Sequence, residues 1–200
     1  MFIAGTETNS NTTEWAMTEL IRHPDIMTKV RQEISESVQQ KGRIEEAAIL
    51  GLPYLQAVIK ETMRLHLAVP LLIPHKTERS VKLNGYLIPK NTRVLVNPWA
   101  IARDPKYWDN PTCFTLERFL GSKLDFKGKH FEFLIFSYGR RICSGILLAQ
   151  RMVSLMVASL VYHFDWKIPR GNEKLDMNDI FGLTLQRAKP LVLVPTMIRE

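Results

Sequence analysis

The sequence predicts an α+β fold that is mainly helical, and three observations carry this prediction. Apolar residues recur every three or four positions through much of residues 12–66 and again in 146–164, the spacing of helices that bury one face. Short apolar runs bounded by turn residues lie near residues 80–97 and at the C-terminal end, which indicates small β-sheets. Helices and strands are segregated along the chain, as in α+β folds. No internal repeat or Gly/Ser linker interrupts the 200 residues, so the length favours one domain.

Four segments have the pattern of helices. Residues 12–22 and 25–39 each place apolar side chains on one face, and a proline separates the two segments. Residues 52–66 begin with a proline in the first turn and end before another proline. Residues 146–164 are long and apolar enough to be considered as a membrane span. Their four polar residues favour a buried helix of a soluble core instead: Gln150, Arg151, Ser154 and Ser159.

The strand predictions rest on alternation and on turn residues. Residues 80–89, SVKLNGYLIP, contain Asn84-Gly85, the strongest short signal for a β-hairpin. Residues 92–100 predict another strand, and the runs FDWKIP, FGLTLQ and PLVLVP predict short strands near the C-terminal end. The intervening residues 104–128 are rich in Pro, Asp and Lys, so we expect an irregular loop there.

Charge and cysteine content limit the classes of function. The 27 Lys and Arg residues against 20 Asp and Glu give a net charge of +7, which permits an anionic partner such as nucleic acid, a membrane surface or an acidic protein. No basic run is interleaved with aromatic residues, so we do not expect nucleic-acid binding. Cys113 and Cys143 form no disulfide framework, and without a CxxC pair a structural zinc site is disfavoured. The first ten residues lack the features of a targeting segment.

Cys143 lies in the loop FSYGRRICSG, directly before the predicted helix at 146–164. Gly139 and Gly145 permit a tight turn, and a helix N-terminus near the sulfur favours the thiolate. Arg141 offers a partner for a carboxylate, and Phe136 offers a flat apolar wall. The implied ligand is flat, apolar, carboxylated and thiolate-bound, and haem fits that description. The alternative is a purely structural cysteine.

The same loop resembles the haem-ligand loop of cytochrome P-450 monooxygenases, F-x-x-G-x-R-x-C-x-G, which it matches at all five fixed positions. The resemblance implies that haem b is the cofactor, that Cys143 is the axial ligand of its iron and that Arg141 contacts a haem propionate. Ser137 stands where many members have glycine. The resemblance extends over residues 1–200 and implies one partial domain, the C-terminal portion of the cytochrome P-450 fold.

Two further motifs occur in the order of that family. KETMRLH matches E-x-x-R at Glu61 and Arg64, and FTLERF resembles F-x-P-E-R-F, with Leu116 in place of the proline. The resemblance implies that Arg118 completes a buried, structural Glu–Arg–Arg cluster. Residues i and i+3 share a helix face, so the alternative for Glu61 and Arg64 alone is a surface ion pair.

The other motif is AGTETNS, Ala4 to Ser10, which resembles the oxygen-activating groove of the family. It implies that Thr8 is the hydroxyl that assists oxygen activation and that Glu7 is the acid of a proton relay, a role in which such residues act as general acids. Asn9 stands where Thr or Ser is commoner. The alternative is a helix N-cap, since Thr and Asn are favoured there and Glu suits the first turn.

The resemblance also implies residues around the haem and the substrate. His75 stands where many members have an arginine that contacts a propionate, and histidine carries full charge only part of the time. Several stretches are similar to plant microsomal members, and FGLTLQRAKPL to enzymes that hydroxylate monoterpene alcohols such as geraniol. The predicted substrate-pocket residues are Ala4, Val69, Leu71, Leu72, Ile73, Leu183 and Thr184. They are apolar apart from one threonine, which fits a small lipophilic substrate, although plain core packing is the alternative.

The implied activity is a monooxygenase reaction that inserts one atom of dioxygen into a small, terpenoid-like substrate. Its electrons would come from NADPH through NADPH–cytochrome P-450 reductase, a flavoprotein. Arg140, Lys127 and Lys129 form a basic face that could dock this acidic partner, or could be merely solvated.

A full-length parent is expected at the cytosolic face of the endoplasmic reticulum. It would touch the membrane through an N-terminal anchor that this chain lacks, because the chain begins inside the central helix of the family. The alternative function is a non-catalytic truncated fragment with incomplete or weak haem binding.

Overall fold

A bundle of helices forms the first part of the protein, and one long helix near the C-terminal end packs into it. The computed structural model describes residues 2–169, 174–182 and 184–198. The helices are α1 (Phe2–Arg22), α2 (Pro24–Lys41), α3 (Glu46–Leu50), α4 (Pro53–Leu65), α5 (Pro98–Ile101) and α6 (Ile146–His163).

The ends of the helices follow local chemistry. Pro24 and Pro53 occupy the first turns of α2 and α4, where a missing N–H costs nothing. Gly42, at φ +74°, ends α2 and donates its N–H to the carbonyl of Val38. The first turn of α4 is capped from a distance, because the two carboxylate oxygens of Glu33 accept the N–H groups of residues 54 and 55 at 2.9 Å. Helix α4 is thereby fixed to α2.

The strands form small antiparallel pairs. Asn84 and Gly85 both have positive φ and make the predicted hairpin turn between the second and third strands. The pairs are β1 (His75–Lys76) with β4 (Arg93–Val94), β2 (Val81–Leu83) with β3 (Tyr86–Ile88), β5 (Phe164–Lys167) with β8 (Val194–Met197), and β6 (Asp179–Phe181) with β7 (Leu185–Arg187).

Helix α6 packs one face into the core, as its sequence predicts, against α1, α2, α3 and α4. Val153, Val157 and Val161 on this face are completely buried. Within the described parts of the chain, α6 is the helix that is long and apolar enough to cross a membrane by length and composition. Its N-terminal turns expose Leu147 and Leu148, each 60% accessible.

The first helix begins ten residues earlier than the sequence predicts. Residues 2–11 contain glycine, threonine and asparagine, which have weak helix propensity, yet they are helical. The threonine hydroxyls of this helix each donate to the carbonyl four residues before them, which satisfies the hydroxyls without raising the helix propensity. These bonds join Thr6 to Phe2, Thr8 to Ala4, Thr12 to Thr8, Thr13 to Asn9 and Thr18 to Glu14.

Other sequence predictions need smaller corrections. The run FGLTLQ is not one strand, because β6 ends at Phe181 and β7 begins at Leu185 with a turn between them. Residues 92–100 are extended only at β4, since Asn97 accepts a hydrogen bond from the N–H of Ala100 and starts α5. The short helix α3 was not predicted, because five residues are too few to show a period.

A buried ion pair fixes the irregular loop to α4. Glu61 and Arg64 are fully buried, and the Nε and Nη2 groups of Arg64 each donate to the Glu61 carboxylate at 2.7 Å. The remaining donors of Arg64 bond the carbonyls of Ala102, Pro111 and Cys113. The surface ion-pair alternative is therefore wrong. Arg118 lies 3.4 Å from the same carboxylate, so the three charged residues are brought together.

We expect Arg64→Met to lower the free energy of unfolding by about 3–5 kcal/mol, because it leaves the Glu61 carboxylate buried without its cation. Arg118→Met is the matched control. Its single contact with Glu61 is long, so a loss of about 1–2 kcal/mol is expected. Denaturant titrations followed by circular dichroism measure both. Equal losses for the two variants would contradict the dominant role of Arg64.

Candidate functional site

A cavity of about 380 Å³ lies between three segments of the chain. Its walls are the N-terminal half of α1, the stretch that follows α4, and the loop that carries Cys143. Nine of the predicted site residues line it: Ala4, Thr8, Val69, Leu72, Ile73, His75, Phe136, Arg141 and Cys143. Segments far apart in sequence thus meet at one apolar space, which is the usual form of a small-molecule site.

The cysteine loop is closed by a main-chain hydrogen bond from Cys143 N to Phe136 O, at 2.9 Å. Between these residues Ser137 and Gly139 have φ +66° and +68°, so the tight turn uses the left-handed region twice. Gly145 does not contribute to the turn as predicted, since its φ is −89°. A glycine would suit Ser137 better, because a side chain in this region is strained.

The sulfur of Cys143 is accessible and lies at the cavity, just before the first turn of α6. A Cβ placed at Gly145 would stand 3.7 Å from the sulfur, which is ordinary contact. The unbonded N–H groups of a helix N-terminus favour an anionic group nearby. Cys113 is also exposed, but it does not line the cavity.

Arg141 and His75 lie at the rim of the cavity. Arg141 is exposed and has no hydrogen bond or ion pair with any residue in the described ranges. His75, in β1, lies at this cavity and at the adjoining one that Arg140, Arg141 and Gly139 also line. These groups are therefore available to the carboxylates of a bound ligand.

Thr8 and Glu7 lie on different sides of α1. Thr8 lines the cavity, and its hydroxyl donates to the carbonyl of Ala4 at 2.6 Å. Because α1 begins at Phe2, Thr8 is inside the helix, and the N-cap alternative is wrong. Glu7 does not line the cavity, and one of its oxygens, Oε2, is buried without a hydrogen-bond partner among the described residues.

The predicted substrate residues are only partly brought together. Leu72 has φ +53°, and the turn that it forms with Val69 separates neighbouring side chains, so Ile73 lines the cavity and Leu71 does not. Thr184 is buried but is not in the cavity wall. Leu183 lies outside the described residues.

Sequence reasoning missed several residues of the cavity wall. Thr12 follows Thr8 by one helical turn, so extending the first helix backwards would have placed both hydroxyls on one face. His66, Leu67 and Ala68 lie between α4 and the predicted substrate residues. Their place in the chain, directly before Val69, was the signal that could have identified them. The other missed residues are Asn9, Met63, Ile135, Ser137, Ile142, Ser144 and Ala149.

His66 joins the cavity wall to a buried carboxylate. Its ring stacks on Trp15 at 3.8 Å, and its Nε2 lies 2.6 Å from Glu19 Oε1. Burial would raise the pKa of Glu19, but the hydrogen bond and charge of His66 and the charges of Arg22 and His23 hold it below its ordinary value. Burial lowers the pKa of His66 and outweighs the opposing effect of Glu19. The cavity wall thus presents a neutral imidazole near pH 7.

The residues at this cavity fit haem. An accessible thiol lies at a helix N-terminus, Arg141 has no partner among the described residues, and the walls between them are mostly apolar. Phe136 extends this apolar wall and packs edge-on against Phe126 at 5.3 Å, which holds its ring in place. Thiolate, cation and apolar surface are the three features that a flat, dicarboxylated iron macrocycle requires.

Comparison with known proteins identifies the family and the fold of the chain. The family model for Cytochrome P450 matches residues 1–194. Cytochrome P450 76C1 of Arabidopsis thaliana is 54% identical over all of this chain, and Carnosic acid synthase of Salvia pomifera is 50% identical over 99% of it. The chain spans 39% and 40% of those two proteins. A zebra fish cytochrome P450 solved with progesterone has a TM-score of 0.88 at 36% identity, over 98% of this chain and 44% of the other. The predicted family and the predicted fold class are confirmed.

We expect the stability of the chain to fall as the pH is lowered below about 6.5, the ordinary pKa of histidine. His66 has a lowered pKa in the folded state, so below pH 6.5 the unfolded chain binds the proton first and unfolding is favoured. Glu19, also lowered, stabilises the fold above its unfolded pKa, and this contribution is lost at more acid pH.

The variant His66→Gln should reduce the loss of stability that begins below about pH 6.5, because the glutamine amide can bond Glu19 without titrating. Denaturation midpoints measured from pH 7.5 to 5 test the prediction. His163→Gln, which changes a histidine outside the cavity, serves as the control. A slope that is unchanged in His66→Gln would contradict the assignment.

Proposed function

The chain belongs to the cytochrome P450 family, and we propose that it forms the haem-binding and oxygen-activating part of a monooxygenase that acts on a small lipophilic substrate. The observation that carries this proposal is the meeting of Cys143, Arg141 and Thr8 at one apolar cavity. Cys143 and Arg141 come from one sequence motif and Thr8 from another, and a purely structural cysteine would need neither the rim cation nor the hydroxyl.

Cys143 holds the cofactor, and the chain provides three supports for it. When bound, haem supplies the redox-active iron at which dioxygen is activated. The Cys143 N–H bond to Phe136 fixes the loop, and the N-terminus of α6 favours the anionic sulfur. Arg141 binds a propionate at the rim as a cation, and the His75 ring donates a hydrogen bond beside it.

Thr8 and Glu7 supply protons to the cavity. The Thr8 hydroxyl now donates to Ala4 O, so it offers lone pairs to the cavity and must rotate before it can donate there. Glu7, the preceding residue of α1, does not line the cavity, and its buried Oε2 lacks a donor among the described residues. A carboxyl group in this position can pass a proton toward Thr8. The two residues thus act in series, with Thr8 at the cavity surface.

The apolar walls exclude water and select the substrate class. Val69, Leu72 and Ile73 present aliphatic side chains beside the space next to Thr8. A wall of this kind binds apolar carbon skeletons and offers few polar contacts, which suits a small terpenoid-like substrate. Exclusion of water also strengthens the electrostatic interactions on which proton delivery depends.

Electron delivery requires a partner, for which we propose an NADPH-dependent flavoprotein reductase. Arg140 and Lys129 are exposed near the cysteine loop, whereas Lys127 lies 4.0 Å from Asp125 and is partly neutralised. An acidic protein that docks on these cations approaches the side of the cavity on which Cys143 lies. Attachment of the complete protein to the endoplasmic reticulum belongs to the same proposal.

We expect Cys143→Ser to abolish the red-shifted Soret band of the reduced carbon monoxide complex, because the serine oxygen does not replace a thiolate. The test uses residues 1–200 joined to the N-terminal region of Cytochrome P450 76C1 of Arabidopsis thaliana. Cys113→Ser, which changes a cysteine outside the cavity, should keep the band. Retention of the band in Cys143→Ser would overturn the proposal.

We expect Thr8→Ala, in the same chimaera, to bind haem and substrate normally but to form about a hundredfold less product per NADPH consumed, the lower end of the range for losing a proton-transfer group. Thr6→Ala is the matched control, because the Thr6 hydroxyl makes the same bond to the carbonyl four residues earlier but does not line the cavity. Equal ratios of product to NADPH in the two variants would show that the hydroxyl is only structural.

A further inference from the structure

A second face of α1, beside its cavity face, binds the β6–β7 hairpin. Asn11, Glu14, Trp15 and Thr18 are spaced i, i+3, i+4 and i+7, so they share one side of the helix. All four contact the chain between residues 185 and 191, about 170 positions away. We call these four residues and Arg187 the clasp.

Arg187 is the centre of the clasp. Its side chain is almost fully buried, with Nη1 donating to Thr18 Oγ1 at 3.1 Å and its guanidinium 4.8 Å from the ring of Trp15. Nε and Nη2 donate to the carbonyls of Lys189 and Asp176. Glu14 lies 3.6 Å from Nε and supplies the opposite charge. A buried cation with this many partners has one position.

The main chain of Leu185 connects the clasp to the cavity. Its carbonyl accepts a hydrogen bond from Asn11 Nδ2, and its N–H donates to the carbonyl of Ala68 at 2.8 Å. Ala68 lines the cavity, whereas Asn11 does not. The residue after the hairpin turn is therefore held between α1 and the cavity wall.

The hairpin is anchored on one strand. Leu185 and Arg187 of β7 are buried, while all three residues of β6 are exposed. The turn between the strands includes buried Thr184, whose hydroxyl accepts a bond from Gln186. Because β6 pairs with β7 and its residues are exposed, the clasp, which holds β7, also positions β6.

We propose that Asn11 and Arg187 are positioning residues that determine substrate selectivity, because they fix Leu185, whose N–H holds the carbonyl of Ala68 in the cavity wall. The inference rests on the proposed function for the identity of the reaction but not for the mechanical link from α1 through Leu185 to Ala68. Neither Asn11 nor Arg187 lines the cavity, and both act through Leu185. The class of substrate concerned is a small lipophilic molecule with several similar C–H bonds, for which a small shift of one wall changes the position of attack.

A first experiment tests the mechanical link by amide hydrogen exchange on residues 1–200. Asn11→Ala should speed exchange in peptides covering 179–187 by about tenfold, since it removes one hydrogen bond to a buried main-chain carbonyl. Exchange in α4 should be unchanged. Arg31→Ala is the matched control, because Arg31 bonds the carbonyls of Val161 and Phe164 beside β5 and does not line the cavity. Unchanged exchange at 179–187 in Asn11→Ala would overturn the inference.

A second experiment tests selectivity in the chimaera with Cytochrome P450 76C1, using geraniol as the probe substrate. Asn11→Ala and Arg187→Lys should each change the ratio of oxygenated products by about threefold or more, with the Soret band of the carbon monoxide complex intact. Asn11→Gln, which keeps the donating amide, should restore part of the original ratio. Identical product ratios in all variants would overturn the inference and leave the proposed function standing. If the unaltered chimaera lacks the Soret band of the carbon monoxide complex, the proposed function and the selectivity that depends on it are overturned. The amide hydrogen exchange experiment would still decide whether Asn11 holds the β6–β7 hairpin.

Discussion

The buried pair of Glu61 and Arg64 determines where the irregular loop after α5 lies relative to α4. Two charges without water are stable only when every donor and acceptor is matched, and the five N–H groups of Arg64 meet Glu61 and three main-chain carbonyls. Those carbonyls belong to an irregular loop that has little secondary structure of its own. The pair therefore fixes that loop against α4, and α4 leads directly into the cavity wall at His66.

Helix α1 combines two tasks because its two faces differ. Threonine hydroxyls on the cavity face donate to carbonyls of the same helix. Their donors are therefore satisfied, and their oxygen lone pairs remain available at the cavity. The neighbouring face uses longer side chains, Asn11 and Glu14, which reach another part of the chain. A helix so rich in threonine and asparagine would be weak alone, and the contacts of both faces compensate for its low propensity.

The sequence predicted what is local or carried by a motif. The helices α2, α4 and α6 were predicted within about two residues, because their apolar periods are clear and prolines mark the starts of α2 and α4. The early start of α1 was missed, since the helix propensity of residues 2–11 opposes it. Cys143, Thr8 and Arg141 were predicted from motifs, and the structure brings them to one cavity. The clasp could not be predicted, because Asn11 and Leu185 are 174 positions apart and neither pattern indicates the other.

The charges around the cavity are arranged so that its walls stay neutral. Glu19 lies close behind the wall with its pKa held low, Arg22 lies 3.0 Å from its carboxylate, and its contact with the wall is the uncharged ring of His66. Burial keeps that ring uncharged, because a cation there would lose its hydration and gain only one carboxylate in return. The cation of Arg141, in contrast, stays at the exposed rim. A lipophilic molecule can then enter without displacing a strongly hydrated group, while the propionates of a bound haem still find a cation at the edge.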